Sequence, residues 1–210
     1  MSTPANPMML AHWRRTVAAL YADVRVGAER DAAAAAARFR TARDALFIRH
    51  PQSPIPPAQR ATWPGAAWFD YDPAWRVVGV VTLEQTETPA LEIPLACDGV
   101  VRGTRIATIS FTAGAHAATL PLYWFEGYGG GLWLPFVDAT CGRTTYGGGR
   151  YLYDTIKGAD LGADDGRIVL DFNFAYNPSC AYDACWSCPL APAENRLPFA
   201  VTAGERTPPV

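Results

Sequence analysis

The stretch His50–Gly65, HPQSPIPPAQRATWPG, divides the chain into two regimes. Prolines at 51, 54, 56, 57 and 64 lack the amide hydrogen that a helix or a sheet ladder uses, and each restricts its own backbone. A regular element arriving from the N-terminal side has to end here, and the run reads as a connection over residues 51–67. His50 stands where the helix breaks, a position that suits a histidine against the last helical carbonyls and the helix dipole. Ser53, before Pro54, reads as a turn residue.

On the N-terminal side everything is helical. Asn6 is a cap residue and Pro7 fits the first helical position. Leu10, Trp13, Val17, Leu20, Tyr21 and Val24 recur at steps of three and four, which makes one apolar stripe. Gly27 interrupts the pattern, and six consecutive alanines then resume it. The second stripe includes Phe39, Leu46 and Phe47, with arginines on the outer face. Residues 1–50 are therefore expected to form a helical arm.

On the C-terminal side short runs of β-branched and aromatic residues alternate with Gly, Pro and Asp. Strands are expected near 75–84, 90–95, 105–111, 118–125, 131–137, 149–154, 167–174 and 198–203. Asp98-Gly99 and Asp165-Gly166 are hairpin-type turn pairs. Strands with no helix between them point to an antiparallel β-sandwich or barrel-like domain over 68–210. The class is thus mainly β with N-terminal α, the domain packing against one or two N-terminal helices.

A chain of 210 residues, half of them apolar, suits one globular domain and not a disordered segment. The net charge of −2 is unevenly spread. Residues 1–60 carry nine arginines against four acids, and the remainder nine basic against sixteen acidic residues. This split favours an arm docked on an oppositely charged body over a nucleic-acid partner. No signal-peptide pattern and no run of 18 apolar residues is present, so no membrane partner and a cytoplasmic location are expected. Five cysteines, an odd number, then argue against a disulfide framework. Cys97 and Cys141 read as isolated, packed thiols.

Two triple-glycine runs, 129–131 and 147–149, match neither a dinucleotide fingerprint nor a P-loop, and read as turns and bulges at strand ends. Alternation places Leu132, Leu134, Phe136 and Asp138 on one face. It groups Arg150, Leu152 and Asp154, with Tyr151 and Tyr153 opposite, and it groups Asp171, Asn173, Ala175 and Asn177. The last set reads as the polar lining of a cavity or as ordinary solvent-facing polarity. Cys180, Cys185 and Cys188 have the spacing of an iron–sulfur loop, but no fourth cysteine follows and zinc would need a distant histidine. Neither a metal nor a cofactor is expected. Each of these thiols reads first as a small core residue in a compact loop; the sharper alternative is a nucleophilic Cys180, exposed by the Asn-Pro-Ser turn before it.

Taken together, RDALFIRHPQSPI, WFDYDPAWRV, GLWLPFVDATCGRTTYGGGRYL and LDFNFAYNPSCAYDACWSCPLAPAENRLPFAVTAGE resemble the bacterial and archaeal family catalogued as domain of unknown function 1684. The resemblance runs from about Trp13 to Glu205. It implies a mostly β domain behind a helical region, and no established reaction. It places recurrent polar positions on Asp138, Thr140, Thr145, Tyr146, Arg150, Asp171, Asn173, Asn177, Cys180, Cys188, Glu194 and Asn195. Cys141 replaces a more usual serine, and Cys185 falls outside the pattern.

Two functional expectations follow. In the first, a pocket binds a small polar or anionic ligand. Asp138, Tyr146, Arg150, Asn173, Asn177 and Asn195 line it, and Arg150 grips the ligand with its planar fork. Cys180, Glu194 and Asp171 supply nucleophile and base. In the second, the same groups form a closed structural network and nothing is catalysed. An open pocket with an unpaired guanidinium would favour the first, and fully engaged donors the second.

Overall fold

The computed structural model describes residues 6–86, 89–95 and 99–209. Asp98 of the first turn pair and Cys97 lie outside them.

The helical segment Pro7–Arg49 is capped by Asn6, whose side chain accepts from the Met9 amide at 3.1 Å. It is broken at Asp31, where φ −154° and ψ 96° are not helical. The Asp31 carboxylate accepts from the Ala34 amide at 2.9 Å and so starts the second arm. The break folds the segment into a hairpin. Trp13 stacks near Phe47, Tyr21 meets Phe39 edge-on at 5.1 Å, and His12 lies against His50. At the bend Gly27 admits Arg38 and Ala35, and a Cβ there would come within 2.8 Å of the guanidinium.

After the prolines, a 3-10 turn forms over Pro57–Thr62. This corrects the expectation of no regular element, and proline at the first position of a turn explains it. Ser53 accepts from the Ile55 amide, as a turn residue does.

Among the described residues eight strands follow: β1 (Arg76–Leu83), β2 (Leu91–Leu95), β3 (Gly99–Ala113), β4 (His116–Phe125), β5 (Gly131–Phe136), β6 (Arg150–Asp154), β7 (Ala163–Asp164) and β8 (Arg167–Asp171). They form one antiparallel sheet in the order β6-β5-β4-β3-β1-β8-β7, with β2 also on β3. The sheet curls into a half-barrel, so of the two architectures the barrel-like one holds. β3 pairs β2 through its first residues and β1 beyond the irregularity at 105–107, while β4 runs along its other edge. A bulge bends the strand and lets one long strand serve two neighbours.

The inner face buries Ile109, Phe111, Leu122, Phe136, Leu170 and Phe172, and the hairpin covers it with Tyr21, Val24, Ala36 and Phe39. Phe39 meets Phe174 at 5.1 Å. Across the outer face a second cluster holds Ile93, Tyr123, Phe125, Trp133 and Tyr151. Tyr151 and Tyr153, expected on one face, fall in different clusters. The register shift between Leu134 and Pro135 breaks the period of two there.

Two further expectations are corrected. The strand near 167–174 ends at Asp171, because Asp171 accepts from the Asn173 amide and turns Phe172–Phe174 into a 3-10 turn. Residues 198–203 form no strand. The carbonyls of Val201, Ala203 and Glu205, every second residue, accept instead from the guanidinium of Arg150.

Candidate functional site

The residues singled out in the sequence separate into several polar clusters, not one pocket. Arg150 and Asp138 form the first. Arg150, 1% exposed, starts β6 beneath the ring of Phe136. Its Nη2 donates to Asp138 Oδ2 at 2.8 Å and to the Val201 carbonyl at 3.0 Å. Its Nη1 donates to the carbonyls of Ala203 and Glu205. Asp138 Oδ1 accepts from the amide and hydroxyl of Thr140. Thr140 and Thr145 share a hydroxyl contact of 2.8 Å. Burial pulls the Arg150 pKa below its usual value, and Asp138 offsets part of that. The two terminal nitrogens are thus engaged within the chain, which is the closed arrangement.

Asp171 and Asn173 form a second cluster at the end of β8. The Asn173 side chain accepts from the Asp72 amide and donates to the Asp72 carbonyl and to Asp171. Asp171 faces Arg76 at 3.5 Å. Burial raises its pKa, and the bonds from Asn173 oppose the rise.

Asn195 and Glu194 form the third. The β4–β5 pairing runs from Phe125↔Gly131 to Tyr123↔Trp133, and the same register continued by two residues sets Pro121 against Pro135, neither of which has an amide hydrogen. Asn195 bridges the gap, its Nδ2 donating to both proline carbonyls at 2.9 Å. The Tyr123 hydroxyl lies 3.0 Å from Asn195 Oδ1 and donates to Glu194. Arg105 pairs Glu194 at 3.1 Å and Glu84 at 2.8 Å. Burial and the bond to Glu194 push the Tyr123 hydroxyl well above the usual tyrosine range.

Asn177 belongs to a fourth cluster, whose centre the sequence reading missed. Glu205, fully buried, pairs Arg43 of the hairpin at 2.7 Å. Its other oxygen accepts from the Asn177 amide at 2.7 Å and from the Tyr182 hydroxyl at 2.6 Å. Arg43 lies over the rings of Phe47 and Tyr176. Burial acts to lower its pKa, and Glu205 outweighs burial, so the value ends above the usual one. A signal was present: Arg43 stands four residues from both Phe39 and Phe47, on the apolar face. The Arg43–Glu205 and Arg25–Asp160 pairs agree with the charge split between arm and body.

Beside this pair a cavity of about 50 Å³ separates the hairpin from the β body. Tyr21, Arg43, Lys157, Asn177 and Tyr182 are among its walls. Tyr21 Oη and Asn177 Oδ1 are buried there without a hydrogen-bond partner. Desolvation pushes the Tyr21 hydroxyl well above its usual pKa. Lys157 reaches Asp154 at 3.4 Å and is half-exposed.

The cysteine loop borders the same region. Cys180 and Cys188 are half-buried and reduced, and Cys185 is exposed. The Cys180 amide donates to Cys188 Sγ at 3.3 Å, and the Tyr146 hydroxyl lies 3.6 Å from Cys180 Sγ. The Tyr151 hydroxyl donates to the Pro189 carbonyl and ties the loop to β6. Cys141 donates to the carbonyls of Tyr146 and Gly147. His50, at the hairpin's end, hands its ring not to helical carbonyls but to the Gln52 amide and to His12. Among the described residues, no three His, Cys, Asp or Glu side chains group as metal ligands, and no helix is long and apolar enough to cross a membrane.

No functionally curated protein matches the chain. A solution NMR structure of an uncharacterised protein from Haloarcula marismortui is 40% identical, with a TM-score of 0.59, over 81% of this chain and 91% of that one. The sequence model described as a protein of unknown function, DUF1684, matches residues 61–206, the β body without the hairpin. Cysteine loop, Arg150 network and Glu205 all fall inside that match, and the chain belongs to the DUF1684 family.

Proposed function

We propose that the protein binds a small polar or anionic molecule in the cavity between hairpin and β body. The observation that carries this reading is the pair of bare polar atoms on its wall, Tyr21 Oη and Asn177 Oδ1. A buried polar group without a partner costs about 1–3 kcal/mol, so two on one small cavity favour an occupant that bonds both. At roughly 10–15 Å³ per water-sized group, the space suits an occupant of about three to five heavy atoms. Arg43 and Lys157 bias it towards negative or strongly dipolar groups, though Glu205 and Asp154 already balance their charge. Asn177 keeps its expected ligand-binding role, whereas Arg150, Asp138, Asp171, Asn173 and Asn195 act as structural networks, a second reading favoured by their engaged partners.

Thermal shift against small polar molecules and anions such as formate, acetate, bicarbonate, urea and phosphate tests the proposal. A ligand at 100 times its Kd adds about 2.7 kcal/mol of stability. The expected response is lost in Asn177→Ala and kept in Arg150→Lys. No response to any probe, together with a high-resolution structure holding only water in the cavity, overturns it.

A further inference from the structure

We propose that Cys180 and Cys188 are a peroxide-reactive thiol pair, in which Cys180 is oxidised by a hydroperoxide and Cys188 resolves it to an intramolecular disulfide. The placement argues for a division of labour. The Cys180 amide points at Cys188 Sγ, so the two thiols share one turn of the loop. Only Cys180 also has the Tyr146 hydroxyl beside its sulfur. Both residues are partly exposed and neither is in a disulfide, and among the described residues neither belongs to a group of three or more metal-ligand side chains. The hydrogen bond from Cys188 is the largest influence on Cys180. With Tyr146 and the positive field of Lys157 it pushes the Cys180 pKa down to about 6, against the effect of burial. The Cys188 thiol is pushed up. The pair thus biases thiolate character towards Cys180 and leaves the proton with Cys188, the asymmetry that a peroxide-reactive pair requires.

The chemistry balances. The Cys180 thiolate attacks the terminal oxygen of the hydroperoxide, the O–O bond breaks, and the alkoxide leaves and takes a proton from solvent. The sulfur is now a sulfenic acid. Cys188 then gives up its proton and attacks that sulfur, so that the S–S bond forms, the S–O bond breaks, and water leaves. Two thiols and one hydroperoxide yield one disulfide, one alcohol and one water. Loop closure favours the second step, because only seven residues separate the two cysteines.

The experiment is stoichiometric hydrogen peroxide treatment of the whole chain, followed by peptide mapping by mass spectrometry. Wild type is expected to lose two hydrogens in a Cys180–Cys188 crosslink, and Cys185→Ser to behave identically. Cys188→Ser is expected to trap a sulfenic acid at Cys180 that dimedone labels, and Tyr146→Phe to slow that labelling several-fold. Circular dichroism verifies that each variant is folded. Crosslinking through Cys185 instead, or dimedone labelling spread evenly over the cysteines of folded Cys188→Ser, overturns the proposal.

Discussion

Arg150 and Arg43 are both buried and both paired with a carboxylate, yet they stand in opposite situations. Arg150 is enclosed within the β body: Asp138 and three carbonyls of the C-terminal strap meet its terminal nitrogens. Arg43 crosses between two parts of the molecule, from hairpin to strap, and lies on the edge of a cavity. In the first arrangement the terminal nitrogens of the guanidinium are all engaged within the chain. The second leaves Tyr21 Oη and Asn177 Oδ1 bare within the same wall. A buried arginine in the sequence is therefore no sign of a ligand. The sign is an unfinished hydrogen-bond inventory beside it.

The largest expected effect lies in the closed network. Asp138→Ala leaves the Arg150 guanidinium buried with no counter-charge, which costs about 3–5 kcal/mol. Urea denaturation should show a correspondingly lower midpoint with an unchanged slope. Arg150→Lys should lose part of that amount, since lysine keeps the charge but not the fork that reaches three carbonyls. A loss below about 1 kcal/mol for Asp138→Ala is what a surface ion pair gives, and would remove the distinction between the two arginines.

Glu205→Gln tests the crossing pair and ranks next. Glutamine keeps one acceptor for the Asn177 amide and Tyr182 but removes the charge facing Arg43. Bonds to charged groups contribute about 1.5–3 kcal/mol, and a loss in that range is expected in chemical denaturation. A double-mutant cycle with Arg43→Met should then recover a coupling energy, because the residues are in direct contact. Additive losses would show that the Arg43–Glu205 pair does not couple hairpin to body.

How these regions read in the sequence follows from what positions them. The Asn6 cap, the helical arm and most strands were legible, since caps and periodic burial are local in sequence. The strap at 198–203 reads as a strand because it is extended and alternates, and its carbonyls do point alternately to one side. Their donor is a side chain on β6 and not a neighbouring strand. Nothing local distinguishes those two cases. Asn195 was legible as a polar position but not as a filler between Pro121 and Pro135, which needs the β4–β5 register. Glu205 was missed because the tail that carries it has no period. Arg43 does not stand out because the helical period is carried by apolar residues and an arginine within it looks like part of the charged outer face. The residues expected to share a pocket are alike in type, and the fold divides them among separate hydrogen-bonded clusters.

The hairpin's own closure should depend on pH, with a smaller effect. His50 accepts from the Gln52 amide at Nδ1, so its proton lies on Nε2, directed at His12 Nδ1 3.0 Å away. The His50 ring is neutral in this arrangement. Burial, and then the neighbouring His12 and Arg60, lower the His50 pKa from the usual 6.5. The unfolded chain therefore binds a proton first as pH falls. The contribution is complete above about pH 6.5 and is lost as pH drops through 6.5 to the folded value. Asp44 and Asp171, whose pKa values burial raises, act in the opposite sense at lower pH. The check is a melting-temperature profile of His50→Gln beside wild type. The difference between the curves should shrink from pH 7 to pH 5, and parallel curves would show that His50 does not titrate on unfolding.

The smallest change should separate an empty cavity from an occupied one. Tyr21→Phe deletes a hydroxyl that has no partner within the chain while keeping the ring packed on Phe39. If the cavity is dry, the substitution removes a desolvated oxygen and loses no bond. Stability then stays level or rises, by at most about 1–3 kcal/mol. If a water or a small ligand bonds Tyr21 Oη, one hydrogen bond is lost and stability falls by about 0.5–1.5 kcal/mol. The proposed occupancy predicts the fall, and predicts that it deepens when a responding molecule is present at saturation. Asp138→Ala, far costlier, should leave the ligand-dependent increment unchanged, because the closed network takes no part in binding. A rise for Tyr21→Phe under every condition would make the cavity a packing defect, and the two buried arginines would then both belong to structure alone.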